Sequence, residues 1–290
     1  MIISVSRRCD IPGFQFDWFM NKIREGVVEA VNPYNRNQVK RIPLIPARGL
    51  PAGLTERSFK DGVSAEEGVD AIVFWTRNPQ KILNNIDELL ERGFFFYVMV
   101  TLTGYPNTLE PSMTRTSKVI NAMKELSKKI GAEKVIWRYD PVIFTNVTDE
   151  NFHRRNFSDL AFKLSGSVRR VIISLYDEYR EPKKRLDAAE KFSDLKMLDI
   201  GGNVYNLLAE FAKCAQAHGM EIQSCAEKED FSSVGINRGA CIDAALLENL
   251  FGVKLGGKDK NQRPNCLCCK SVDIGVYGTC PAGCVYCYAW

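Results

Sequence analysis

Three cysteines near the end of the chain have a spacing that could do chemistry. Cys280-Pro-Ala-Gly-Cys284-Val-Tyr-Cys287 is a C-x3-C-x2-C run. Three thiolates on one short loop can hold three irons of a cubane [4Fe–4S] cluster, and the missing fourth leaves one iron open to a non-protein ligand. Gly278 and Gly283 let the loop backbone curl where a Cβ would clash. The competing reading is a non-catalytic metal protein of β/α-barrel fold, with an electron-transfer iron–sulfur cluster or a structural four-cysteine zinc site. Such sites usually show paired C-x2-C knuckles, and here only Cys284 and Cys287 supply one, with Cys280 left over.

The chain holds 10 Cys against 2 His. Cys266, Cys268 and Cys269 lie shortly before the loop, and Cys225 and Cys241 fall further upstream. Cys225, Cys241, Cys266 and Cys268 could ligate a second iron–sulfur cluster. Alternatively, Cys225 and Cys241 are buried small hydrophobes, as free cysteines often are. Cys214, among small residues of a helix, reads as core. His153, beside Arg154 and Arg155, reads as solvent-facing. Neither histidine has the partners of a catalytic triad, and no G-x-x-x-x-G-K-[ST] loop supports nucleotide triphosphate chemistry.

The elements that would position these groups alternate along the chain. Apolar, strand-like runs are Ile2–Ser6, Asp70–Thr76, Phe94–Leu102, Lys134–Arg138, Arg170–Leu175, Met220–Ser224 and Val272–Tyr277. Between them, residues such as Ile82, Ile86, Leu89 and Leu90 recur at helical spacing. Repeated strand–helix units predict a parallel sheet with right-handed crossovers. Strands apolar on both sides predict that both faces are covered. The fold class is therefore α/β, and seven such strands favour a (β/α) barrel, TIM-like or partial, over an open sheet. Residues 1–255 form the barrel core. Residues 256–290 form a Cys-rich segment that carries the last strand and the loop, entered through the breaker-rich Gly256–Pro264. Pro46–Gly68 reads as a surface loop.

In such folds the reactive side chains sit at the carboxyl ends of strands. Those positions hold Arg7, Arg8, Cys9 and Asp10; Thr76, Arg77 and Asn78; Thr101 and Thr103; Arg138, Tyr139 and Asp140; Ser174, Tyr176 and Asp177; Cys225 and Glu227; then Cys280. Together Arg7, Arg8, Arg138, Asp140 and Cys225 read as one pocket, and Arg7, Arg8, Arg77 and Arg138 could hold an anionic group.

Composition narrows the class. The 290 residues carry Lys+Arg 39 against Asp+Glu 35, a net charge of +4, with 45% hydrophobic and 26% charged residues. These values fit a globular chain and exclude a largely disordered one. So weak a basic surplus does not predict nucleic-acid binding, although it does not forbid it, and the expected substrate is a small molecule, peptide or nucleoside-sized target. The longest apolar run, Phe94–Val100, is too short to span a bilayer, and no secretory signal opens the chain. The expected setting is a reducing cytoplasm, where ten cysteines indicate metal binding or catalysis before disulfides.

The loop resembles that of the radical S-adenosylmethionine (SAM) superfamily, in which an aromatic residue, here Tyr286, precedes the last cysteine. The resemblance implies that Cys280, Cys284 and Cys287 ligate a [4Fe–4S] cluster and that the open iron binds the amino and carboxylate groups of SAM. Tyr286 would then pack near adenine. An electron from a donor such as a flavodoxin or ferredoxin would cleave the S–C5′ bond, and the resulting 5′-deoxyadenosyl radical would act on a substrate. Tyr277-Gly-Thr-Cys280 through Tyr288-Ala289 resembles the motif region of the spore photoproduct lyase branch, as do Thr76-Arg77-Asn78-Pro79 and Leu109-Glu110-Pro111. Over nearly its full length the chain resembles domain-of-unknown-function family 1848. The matching segments are Ser6–Pro12, Val73–Pro79, Thr101–Tyr105, Arg138–Pro141 and Ser271–Gly275.

Two departures from the superfamily carry expectations. The motif usually follows the first strand, whereas here it follows the last, which implies a circular permutation that needs the last strand to lie beside the first. The superfamily continues with a helix after the motif, whereas this sequence stops at Trp290, so either the chain is truncated or that helix is dispensable. No Gly-Gly-Glu ends the second strand of that scheme; Arg7–Asp10 stands there instead, so Arg7, Arg8, Arg138 and Asp140 become the candidates to hold SAM.

Overall fold

The computed structural model describes residues 1–35, 37–47, 68–176, 183–192, 194–199, 201 and 204–289. It begins with β1 (Ile2–Val5), α1 (Ile11–Phe14), α2 (Phe16–Glu25) and a hairpin of β2 (Val27–Val31) and β3 (Val39–Pro43). Strand–helix units follow: β4 (Ala71–Thr76), α3 (Gln80–Glu91), β5 (Phe96–Thr101), α4 (Thr116–Ile130), β6 (Val135–Val142) and α5 (Glu150–Leu164). Next come β7 (Arg170–Leu175), α6 (Lys183–Phe192), α7 (Val204–Ala217), β8 (Glu221–Cys225), β9 (Asn237–Gly239), α8 (Ala244–Phe251) and β10 (Val272–Asp273).

One eight-stranded sheet runs in the order β10-β1-β4-β5-β6-β7-β8-β9, and every neighbouring pair is parallel. Parallel pairing needs both faces covered, and side-chain alternation assigns each residue to a cover. Ile72 and Phe74 of β4, Val98 and Val100 of β5, and Trp137 and Tyr139 of β6 join the helices in one core with Phe16, Phe19, Phe157 and Phe211. Ala71, Val73, Trp75, Tyr97, Met99, Ile136 and Ile172 face the other way. There they meet Leu247 and Phe251 of α8 and the cysteines 225, 241, 266, 268 and 269.

The helices follow their sequence pattern. In α3 the buried residues are Ile82, Ile86 and Leu89, one face at steps of four and three. In α5, Asp149 caps the first turn by accepting the Phe152 N–H at 2.7 Å. That helix buries His153, Phe157, Leu160, Ala161 and Leu164.

The strand count predicts a closed or nearly closed barrel, and the structure corrects the closed form. Among the described residues no ladder joins β9 to β10, so the sheet is open. Both edge strands are too short to close it. The run expected over Val272–Tyr277 pairs only at Val272–Asp273 before turning away. Val272 lies opposite Ile3 and Asp273 opposite Ser4, so the last strand lies beside the first. Most of the loop expected at Pro46–Gly68, residues 48–67, and Asp177 lie outside the described residues. No helix among the described residues is long and apolar enough to cross a membrane.

Candidate functional site

A cavity of about 230 Å³ opens at the carboxyl ends of the strands. Its wall takes Arg7, Arg8, Cys9 and Asp10 from the end of β1, Trp75, Thr76 and Arg77 from β4, and Arg138 and Asp140 from β6. Ser174 and Tyr176 follow β7, Cys225 ends β8, and Arg263 reaches in from the segment before β10. The loop after β10 closes the wall with Cys280, Cys284, Tyr286, Cys287 and Tyr288. All three cysteines of the C-x3-C-x2-C run thus line the same cavity as Arg7, Arg8, Arg138, Asp140 and Cys225.

Asp273 joins β10 to the mouth. Its carboxylate accepts from Ser4 Oγ at 2.7 Å, Ser6 Oγ at 2.5 Å, the Arg7 N–H at 2.8 Å and the Gly275 N–H at 3.0 Å. The Arg7 guanidinium stands 3.8 Å away and donates to Ser271 Oγ at 2.9 Å. Burial alone would lower the Arg7 pKa, but Asp273 and nearby Cys268 hold it above its ordinary value. Arg8 instead donates to the carbonyls of Val31 and Gly275 and lies 5.5 Å from the Tyr277 ring. Gly275 is needed for the close approach: a Cβ there would stand 2.6 Å from Ser6 Cβ and 2.9 Å from Cys9 Sγ.

Arg138 pairs with Asp140, whose carboxylate also accepts from Ser174 Oγ. The Arg138 guanidinium lies 4.9 Å from the Trp75 ring centroid and that of Arg7 5.7 Å from it. Arg138 Nε and Trp75 Nε1 are buried donors without a hydrogen-bond partner. The two guanidinium charges on this side of the cavity are matched by the carboxylates of Asp273 and Asp140.

The cysteine loop is tied down by a buried network. The Arg77 guanidinium contacts Glu110 at 2.8 Å and donates to the Tyr286 hydroxyl. Thr103 and Tyr286 both donate to the same Glu110 oxygen. Burial would lower the Arg77 pKa, but Glu110, Tyr286 and Cys284 hold it well above its ordinary value. Burial likewise pushes the Tyr286 hydroxyl well up. Tyr286 lines the cavity, although its hydroxyl is spent on Arg77 and Glu110. The Arg77 N–H also donates to Asp10, at 2.8 Å, and Asp10 caps α1 through the Gly13 N–H.

Two features of the loop suit an iron–sulfur cube. Gly283 has φ +72°, a conformation that favours glycine, as the turn between Cys280 and Cys284 demands. The Ala289 N–H donates to Cys287 Sγ at 3.4 Å, a bond that stabilises a thiolate. Burial pushes the Cys284 thiol up to about 11, with Arg77 opposing. Among the described residues no three His, Cys, Asp or Glu side chains are grouped to hold a single metal ion. A cube spaces its ligand sulfurs more widely than one ion does. Three thiols on a curled loop facing one cavity are a donor set that fits such a cluster.

Cys225, Cys241, Cys266 and Cys268 also come together. Cys225 Sγ and Cys241 Sγ are 3.1 Å apart, and Cys268 is hydrogen-bonded to both Cys241 and Cys266. Cys269 and Cys9 are buried, and Cys214 is half-buried in α7. Other rim residues are structural: Glu227 accepts the Leu175 N–H at 2.9 Å, and Thr76 Oγ1 closes a turn with Asn78. His153, read as solvent-facing, is fully buried. Its Nδ1 lies 2.8 Å from the Tyr139 hydroxyl and its Nε2 3.0 Å from the Ile143 carbonyl. The sequence reading did not single out Trp75, Arg263 or Tyr288. Strand alternation in Ala71–Thr76 places Trp75 on the face of Arg138, a signal that was present. Arg263 lies in a breaker-rich stretch without period, and nothing in it marks a site.

No curated protein matches the chain. The family model described as a domain of unknown function, DUF1848, matches residues 2–289. The chain belongs to that family.

Proposed function

We propose that the protein is a radical SAM-type enzyme built on a partial, circularly permuted (β/α) barrel, with its [4Fe–4S] cluster on Cys280, Cys284 and Cys287. The observation that carries this reading is the convergence of those thiols with six strand ends, those of β1, β4, β5, β6, β7 and β8, on one cavity, delivered by a last strand that pairs with the first. With one electron from a donor such as a reduced flavodoxin or ferredoxin, the cluster would break the S–C5′ bond of bound SAM, releasing methionine and a 5′-deoxyadenosyl radical that takes a hydrogen atom from substrate.

The residues of the chain supply binding and exclusion of water. Arg77, Glu110 and Thr103 fix the loop through Tyr286, keeping the three sulfurs aimed at the cavity. Arg7 and Arg138, each also held by a carboxylate, line the cavity and offer guanidinium donors to a carboxylate of SAM or an anionic group of the substrate. Asp140, held by Ser174 and Arg138, accepts a cationic or N–H group. Tyr286 and Tyr288 give the mouth aromatic surface. A cavity of about 230 Å³ suits a small-molecule or nucleoside-sized substrate.

The test is anaerobic reconstitution with iron and sulfide, then electron paramagnetic resonance of the reduced protein with and without SAM. The expected result is a [4Fe–4S] signal that changes when SAM is added, with 5′-deoxyadenosine formed under reducing conditions. No such signal, or one that SAM leaves unmoved, overturns the reading, as would zinc bound at the loop in place of iron. Tight, salt-sensitive DNA binding would overturn the substrate class.

A further inference from the structure

A second group of sulfurs stands apart from the loop. Cys225 ends β8, Cys241 follows β9, and Cys266 and Cys268 belong to the segment before β10. Three stretches of chain distant in sequence therefore bring four buried thiols together on one face of the sheet. Cys225 Sγ lies 3.1 Å from Cys241 Sγ, and Cys268 touches both Cys241 and Cys266. The Ile242 N–H donates to Cys268 Sγ at 3.3 Å.

Buried cysteines often serve as small hydrophobes. Three features go beyond that role here. An apolar plug has no use for guanidinium groups, yet Arg7 and Arg138 stand against Trp75, which packs in the same cluster as the four thiols. Arg138 Nε and Trp75 Nε1 are buried donors without partners, an arrangement costly beside neutral thiols and favourable beside anionic sulfur. Cys225 also lines the main cavity, so the group is reached from the functional mouth.

We infer that Cys225, Cys241, Cys266 and Cys268 hold a second iron–sulfur cluster, ligated by four cysteines of this chain. Four thiolates around a cubane leave a dianion, and Arg7 and Arg138 stand on its side of the sheet, their charges shared with Asp273 and Asp140. Four buried cysteines gathered on one face are a donor set that suits an iron–sulfur cluster, and zinc on the same thiols is an outcome that the test separates. Complete ligation leaves no open iron, so this site passes or stores an electron beside the cavity and does not bind SAM. The inference uses none of the loop cysteines and stands or falls separately from the proposed enzyme activity.

The test is a Cys280→Ala/Cys284→Ala/Cys287→Ala variant, which leaves the second group intact, beside a Cys266→Ser/Cys268→Ser variant and the unaltered chain. All are reconstituted anaerobically and measured for iron, acid-labile sulfide, zinc and electron paramagnetic resonance. The expected result is that the loop variant keeps about half the iron and sulfide of the unaltered chain, with a signal that SAM does not change. The Cys266→Ser/Cys268→Ser variant should lose that half and keep the SAM-responsive signal. A loop variant that binds no iron, or binds zinc at the remaining cysteines, overturns the inference. So does a Cys225–Cys241 disulfide in protein isolated without air. Should iron persist in the loop variant while no SAM-responsive signal exists in the unaltered chain, the enzyme reading fails and this one survives.

Discussion

Replacing Arg77 by Met tests how the cluster loop is held. The Arg77 and Glu110 side chains are 15% and 5% exposed and lie 2.8 Å apart, so neither charge is well solvated without the other. Removing one member of a buried pair typically costs about 3–5 kcal/mol, because the remaining charge stays buried and uncompensated. Glu110 would retain the hydroxyls of Thr103 and Tyr286, which places Arg77→Met near the lower end, about 3 kcal/mol. The Arg77→Met/Glu110→Gln double variant carries no orphan charge and should be less destabilised than Arg77→Met alone. The assay is guanidinium unfolding of the iron-free protein at pH 7, followed by iron retention after reconstitution. Tyr286 lies between Cys284 and Cys287, so Arg77→Met should also loosen iron at the loop. A cost under about 1 kcal/mol, or a double variant whose loss equals the sum of the two single ones, would refute the reasoning.

Two further outcomes are expected. Burial lowers the His153 pKa from 6.5 to about 4, so the unfolded chain takes up a proton there before the folded one does. Stability should therefore be full above pH about 6.5 and fall as pH drops toward 4, by roughly 3 kcal/mol at most. A series of unfolding curves against pH checks this; His153→Gln should flatten that window, and an unchanged slope would count against the assignment. Gly275→Ala would set a Cβ 2.6 Å from Ser6 Cβ, and overpacking of that kind costs about 1–3 kcal/mol. Its thermal midpoint should fall, and an unchanged midpoint would mean that β10 can move away from β1 freely.

Much of the framework was legible because burial on both faces writes itself into a strand. Ala71–Thr76 and Phe96–Thr101 are apolar almost throughout, and the helices between strands show their periods. The hairpin of Val27–Val31 and Val39–Pro43 was missed because one arm alternates and the other is half charged, Val39-Lys40-Arg41. Asn237–Gly239 carries no hydrophobic signal at all; the backbone pairs there because β8 offers an open edge. His153 was misjudged from its neighbours Arg154 and Arg155. The steps from 153 to 157, 160 and 164 put it on the buried face of α5, and periodicity outweighs adjacency in a helix. The cysteine loop was legible from spacing alone. That Arg77, Glu110 and Tyr286 close on one another was not, because the contact joins positions 77 and 286 and depends on the sheet order.

Sheet order also explains how the three cysteines late in the chain come to line the cavity at the strand ends. Read from β10, the strands of the large sheet follow one another as β1, β4, β5, β6, β7, β8 and β9, each joining the next in chain order. The strand latest in the chain, β10, thus pairs with the earliest, β1, at one end of an otherwise sequential sheet. Hydrogen bonds, burial and the reach of Asp273 to Ser4, Ser6 and Arg7 depend on adjacency in space, and only loop-closure entropy registers where the chain is cut. A strand of two residues can hold this place because Asp273 accepts four hydrogen bonds and Gly275 allows contact with Ser6 and Cys9. The loop that follows then meets the carboxyl ends of the other strands, where a parallel α/β sheet gathers its reactive side chains.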